Sequence, residues 1–179
     1  MLLFCGTSFN RFNHTVMKRL VFLMLLAFCL PLVGFSQRTD IHKGDIMYGL
    51  ESAGVGAQGT ALVRLEYISK QRKIPVQVLQ EYAVRGVLFK GIAAGEGSAT
   101  TQKPLCGSAS AEQSHEAYFE KFFGDEAYKN YVQFVEGSLK VVAYRNKNYK
   151  ATANLVIYKD QLRKDLEAAG VIKGLGSGF

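Results

Sequence analysis

Cysteine is scarce and tryptophan is absent: the 179 residues hold three Cys and no Trp. Three thiols exclude a disulfide-rich scaffold. Histidine is almost as rare, with three copies, so imidazole catalysis has few starting points. The serine-hydrolase elbow G-x-S-x-G is missing. No internal repeat or fixed period runs along the chain, which excludes collagen and coiled-coil classes. Asp and Glu are missing altogether from positions 1–36. Against these absences stand 48% apolar and 21% charged residues, too apolar a mixture for a disordered chain. The length suits one domain.

The acid-free stretch has the three-part plan of a secretory signal. Lys18 and Arg19 precede an apolar run, Leu20–Leu30, which Pro31 ends. Gly34 and Ser36 then supply small residues before a cleavage point between Ser36 and Gln37. The run is too short to span the roughly 30 Å of a bilayer core as a helix. The signal reads best from Met17, which makes residues 1–16 an over-extended start. Cys29 invites a lipoprotein reading, but Phe28 before it is bulky and apolar residues follow it. Removing residues 1–36 takes away three basic residues and lowers the net charge from +7 to +4. Cys5 and Cys29 leave too, so the expected mature chain keeps only Cys106 and forms no internal disulfide. No transmembrane helix is expected in it.

Residues 37–59 are polar and Gly-rich and read as an extended or mobile arm. A single domain is expected over 60–179. Period-2 alternation of Ala61, Val63, Leu65 and Tyr67 against Arg64 and Glu66 predicts a strand over Thr60–Lys70. Pro75 opens a helix bearing Val78, Leu79, Tyr82, Phe89 and Ile92 on one side. Gly86 in its middle is unfavourable by about 1 kcal/mol against Ala and implies close packing. Ala93–Ser110 reads as a long loop. Ser110 and Gln113 resemble a capping box for an aromatic helix, and a second helical segment carries Tyr128–Val135. Ser138–Arg145 and Tyr149–Tyr158 form a hairpin around Asn146-Lys147-Asn148, and Asp160 caps a last helix stopped by Gly170. The order β-α-α-β-β-α predicts an α+β fold, a small, mainly antiparallel sheet with helices on one face.

The chemical motifs are thin. Gly54-Val-Gly56-Ala-Gln-Gly59 matches G-x-G-x-x-G but lacks the preceding strand and following helix that a dinucleotide needs. Asp40, His42 and Asp45 lie close together without a rigid support for a metal. Cys106 has His115 nine residues on, with nothing to bring them together. Glu112, Glu116, Glu120 and Glu126 read as solvated. Catalytic residues, a metal and a cofactor are therefore not expected. The contact surfaces expected for a ligand are Lys103 and Cys106 on the long loop, and Tyr144, Arg145 and Lys147 on the hairpin. The wider hairpin interleaves Lys140, Tyr149, Lys150 and Tyr158 with these. Export makes nucleic acid an unexpected partner, and a mild positive face suits anionic lipid or polysaccharide better.

Lys159–Leu166, Gly170–Leu175, Gly178-Phe179, Arg85–Gly91 and Gln102–Leu105 together resemble small exported proteins of the Bacteroides group that have no assigned activity. The likeness spans most of 60–179. It implies export in a Gram-negative cell, to the periplasm, the cell envelope or the medium, and a single α+β domain. It carries over no catalytic residue. The leading expectation is a non-enzymatic binding or accessory domain that contacts another envelope protein, lipid or polysaccharide. The alternative is an exported hydrolase of an envelope or dietary polymer, using carboxylates that no local motif reveals.

Overall fold

Two long strands with matching apolar alternation form the centre of the domain. In the computed structural model, residues 47–174 are described apart from Gly97 and Ala109. The first hairpin joins β1 (Tyr48–Gly54) to β2 (Ala61–Ser69). Helix α1 (Val76–Phe89) follows, then a short β3 (Ala93–Glu96). Next come α2 (Ala111–Ser114), α3 (Glu116–Gly124) and a 3-10 turn at Ala127–Tyr131. The chain then runs through β4 (Val132–Phe134), β5 (Lys140–Tyr144), β6 (Asn148–Ile157) and α4 (Lys159–Ala168). The result is the expected α+β fold around a mainly antiparallel six-stranded sheet. The strand order is β3-β1-β2-β6-β4, with β5 also on β6. Only β3, beside β1, is parallel to its neighbour.

β2 and β6 pair from Ala61↔Ile157 to Ser69↔Tyr149 without a break. On the core side Ala61 faces Ile157, Val63 faces Leu155, Leu65 faces Ala153 and Tyr67 faces Ala151. Side-chain size rises along one strand as it falls along the other, so each pair fills a similar volume. The small end leaves room for the ring of Tyr82 from α1, whose centroid lies 5.1 Å from Tyr67 and 5.0 Å from Tyr48. The alternate residues of both strands stay half-exposed. The helices therefore cover one face only.

Several expected elements change. The arm over 37–59 is, from Tyr48 to Gly54, a sheet strand, paired from Tyr48↔Tyr67 to Gly54↔Leu62. Glycine hides it in the sequence, while the pairing with β2 stabilises it. Residues 37–46 lie outside the described region. Part of the long loop is β3, and Ile92 leaves the helix to pair with Gln102. Gly91 makes that turn at φ +85°, where an added Cβ would stand 2.3 Å from the Gln102 carbonyl oxygen.

The helical segment expected over Tyr128–Val135 is a 3-10 turn followed by β4. Val132 and Phe134 find the free edge of β6 opposite Ile157 and Leu155. Sheet pairing thus overrides an ambiguous three-residue spacing. Residues 135–139 then bulge opposite Ala153 and Asn154 before β5 resumes at Lys140↔Thr152. Ser138 patches this gap, as its Oγ accepts from the Asn154 N–H at 3.0 Å and donates to the Val135 carbonyl at 2.6 Å.

The two expected caps are absent. Ser110 makes no cap bond; its Oγ pairs with Ser108 Oγ at 2.9 Å. Tyr158, not Asp160, stands at the α4 N-cap. Asp160 sits in the first turn, where a negative charge suits the helix dipole, and its N–H donates to Gly59 O at 3.1 Å.

Gly86 does mark a close approach: a Cβ there would lie 1.9 Å from Leu50 Cδ1. Gly86→Ala should destabilise the domain by about 1–3 kcal/mol through overpacking, although Ala is the better helix former. Combining it with Leu50→Ala should cost less than the sum of the two single changes. Urea unfolding of the single and double variants checks this; strict additivity would refute the contact.

Candidate functional site

The β5–β6 hairpin turns over Arg145–Lys147, with Asn146 and Lys147 in the left-handed region at φ 56° and 61°. The Asn148 N–H closes the turn on the Arg145 carbonyl. Two successive positive φ values match the right-handed twist of the flanking strands and thrust Arg145 and Lys147 outward. Tyr144, Arg145 and Lys147 are all exposed, Tyr144 by 42%. Of the wider hairpin set, Lys140 and Lys150 share the uncovered face of the sheet. Tyr149 alternates onto the core face. Tyr158 lies at the far end of β6, where its hydroxyl donates to Gln133 Oε1 at 3.1 Å.

Strand pairing brings further residues to this hairpin. Ser69 ends β2 beside Tyr149, so the connection Lys70-Gln-Arg72-Lys73 leaves the sheet next to the turn. Arg72 and Lys73 are exposed. On the uncovered face a cross-strand row runs from Met47, just before β1, through β2 and β6 to β5. The Ile68 N–H donates to Met47 O at 2.9 Å, Ile68 pairs with Lys150, and Lys150 pairs with Val142. Met47 and Val142 are 69% and 56% exposed. Lys150 reaches along the face to an ion pair with Glu66, which lays its methylene stem between Ile68 and Val142. Tyr144 extends the row, two residues beyond Val142 on the same strand face. An apolar strip therefore lies among cations. The sequence carried a signal for it: residues 67–80 and 137–159 contain no Asp or Glu. Strand pairing alone puts those two runs side by side.

Lys103 and Cys106 lie elsewhere. Their loop is tied to the end of α1, as the Leu105 and Cys106 N–H groups donate to the Val87 and Leu88 carbonyls at 3.0 Å each. Gln102 accepts a 2.7 Å bond from Lys159 Nζ, just past the end of β6. The Ile92↔Gln102 bridge holds this loop beside β3, the edge of the sheet opposite to β5 and the hairpin. The two predicted surfaces are thus separate. Cys106 is half-buried, and burial pushes its thiol up to about 11. No hydrogen bond joins it to His115, which terminates α2.

The described carboxylates nearest a buried setting are occupied by cations. Arg85 donates to Glu81 at 2.9 Å and pairs with Glu112, while its guanidinium lies 3.8 Å from the Phe123 ring centroid. Burial lowers the Arg85 pKa, and the two glutamates more than reverse this, leaving it above its ordinary value. The cluster clamps α2 and α3 to α1. Glu112, expected to be solvated, is part of that clamp. Glu96 is held by Arg64 at 3.0 Å and Glu167 by Arg163 at 2.8 Å. Tyr131 donates to Asp165 Oδ2 at 2.8 Å.

The remaining motifs resolve simply. Gly54–Gly59 connects two antiparallel strands, β1 and β2, so the G-x-G-x-x-G match does not open a helix and offers no pyrophosphate site. Asp40, His42, Asp45, Ser36, Gln37 and Cys29 lie outside the described residues. Among the described residues, no group of three or more His, Cys, Asp or Glu could hold a metal, and no helix is long and apolar enough to cross a membrane. The chain matches no protein-family model, no curated protein and no solved structure.

Cys106 supplies a direct check on this geometry. A rise from 9.0 to about 11 leaves roughly a hundredfold less thiolate at about pH 8. Peptide-resolved mass spectrometry should show iodoacetamide alkylating native Cys106 about a hundredfold more slowly than the urea-unfolded chain. Equal rates would contradict the buried placement.

Proposed function

We propose that this chain is an exported cell-envelope protein, a non-enzymatic module that binds an anionic envelope component through the hairpin end of its sheet. The observation that carries the reading is the excess of basic over acidic residues among the described residues at this end. Lys70, Arg72, Lys73, Lys140, Arg145, Lys147 and Lys150 belong to adjoining segments, and Glu66 is the one carboxylate on the strand positions they flank. Such a concentration on a chain of mild net charge focuses potential at one end of the molecule. The signal-like leader supports export. The carboxylate pattern favours binding over hydrolysis, because Glu81 and Glu112 share Arg85 and neither is left to act as acid or base.

The protein, expressed full length and purified after export, should sediment with isolated envelopes, and its N-terminus should be Gln37. Raising salt from about 0.1 M to about 0.5 M should weaken the association strongly, as screening shortens the Debye length below about 5 Å. The double variant Arg145→Glu, Lys147→Glu should lose about tenfold in affinity. Binding indifferent to both salt and charge reversal would overturn the reading.

A further inference from the structure

We infer that the anionic component is a lipid bilayer surface, entered by the strip of Met47, Ile68, Val142 and Tyr144 while Arg145 and Lys147 bind headgroup phosphates. This rests on the reading above and narrows it to one ligand class.

The argument comes from what lies at the middle of the basic end. A soluble anionic polymer is held by charge and by polar side chains that replace its hydration. Here the centre is aliphatic. Met47 and Val142 are 69% and 56% exposed, in one row with Ile68 and the Lys150 stem between them. Exposed aliphatic groups gain nothing from an anionic sugar, but they gain by leaving water for the acyl boundary. Tyr144 has an apolar ring and a polar hydroxyl, the chemistry enriched at the headgroup level of membranes. Arg145 and Lys147 follow it directly in the turn, so charge surrounds the strip at the depth where phosphates would lie. Arginine suits bidentate phosphate contact. Ile68, Val142 and Tyr144 lie on β2 and β5, and the Ile68 N–H holds Met47 beside them just before β1.

The absence of Trp from the sequence makes the test clean. A Tyr144→Trp variant of the exported protein carries a single indole in the strip, and Lys103→Trp places one at the opposite edge of the sheet. Each is mixed with vesicles of phosphatidylglycerol and phosphatidylethanolamine, with neutral phosphatidylcholine vesicles, and with soluble alginate. The expected result is a blue shift of the Tyr144→Trp emission on the anionic vesicles alone, with Lys103→Trp unshifted. In the same assay Val142→Asp should weaken vesicle binding about tenfold. Its far-UV circular dichroism should be unchanged, since Val142 is exposed. Binding to alginate with no shift on vesicles would overturn the lipid assignment while leaving the anionic-component reading standing. Binding to none of the three would overturn both. A shift of Lys103→Trp instead would place the contact at the β3 edge and overturn the assignment to this strip.

Discussion

Everything in this domain depends on the pairing of β2 with β6. Their nine-residue register, Ala61↔Ile157 to Ser69↔Tyr149, joins segments far apart in sequence. It is specified twice. Alternation decides which face is buried, since a slip of one residue would turn Val63 and Leu155 to solvent. Size complementarity then opposes a slip of two, which would set Leu65 against Leu155 or Tyr67 against Ala153. β6 also carries β4 and β5 on its other edge, so one strand organises three partners. Ser138 spans the gap between β4 and β5 and preserves that edge.

The same alternation that builds the core leaves the other face of the sheet uncovered. Arg64 and Glu66 of β2 and Lys150, Thr152 and Asn154 of β6 are half-exposed there. Along most of the face, charges of both signs meet, as in the pairs Arg64–Glu96 and Lys150–Glu66. Only at the hairpin end does the balance fail. There the turn and the β2–α1 connection bring basic residues around Met47, Ile68, Val142 and Tyr144. The functional reading thus joins a hairpin visible in the sequence to neighbours that only strand register brings to it. The half-buried cluster of Glu81, Arg85 and Glu112 does structural work of a different kind, locking α2 against α1.

Long elements were legible in the sequence because many residues repeat one signal. β2 and β6 each place four or more apolar residues at period two, and α1, the hairpin and the buried pair Leu162 and Leu166 of α4 stood out likewise. β1 was not legible: Gly49 and Gly54 gave it the composition of an arm, and only β2 makes it a strand. β4 is three residues long, too short for any period to decide. The two caps failed because Ser110 and Asp160 have the right chemistry but other partners. At the site, Tyr144, Arg145 and Lys147 were visible as a basic, aromatic hairpin. Met47, Arg72 and Lys73 were not, since nothing in their own segments points to it. Lys103 and Cys106 lie on a separate surface, beside β3 at the opposite edge of the sheet.

Hydrogen exchange on the purified protein with and without isolated Gram-negative envelopes tests the central claim most directly. Amides of Lys140–Asn148 and of the Arg72-Lys73 connection should exchange more slowly when bound, while those of Lys103–Cys106 and α3 stay as in the free protein. Protection confined to the Lys103–Cys106 loop or to α3, with the hairpin unchanged, would contradict the account.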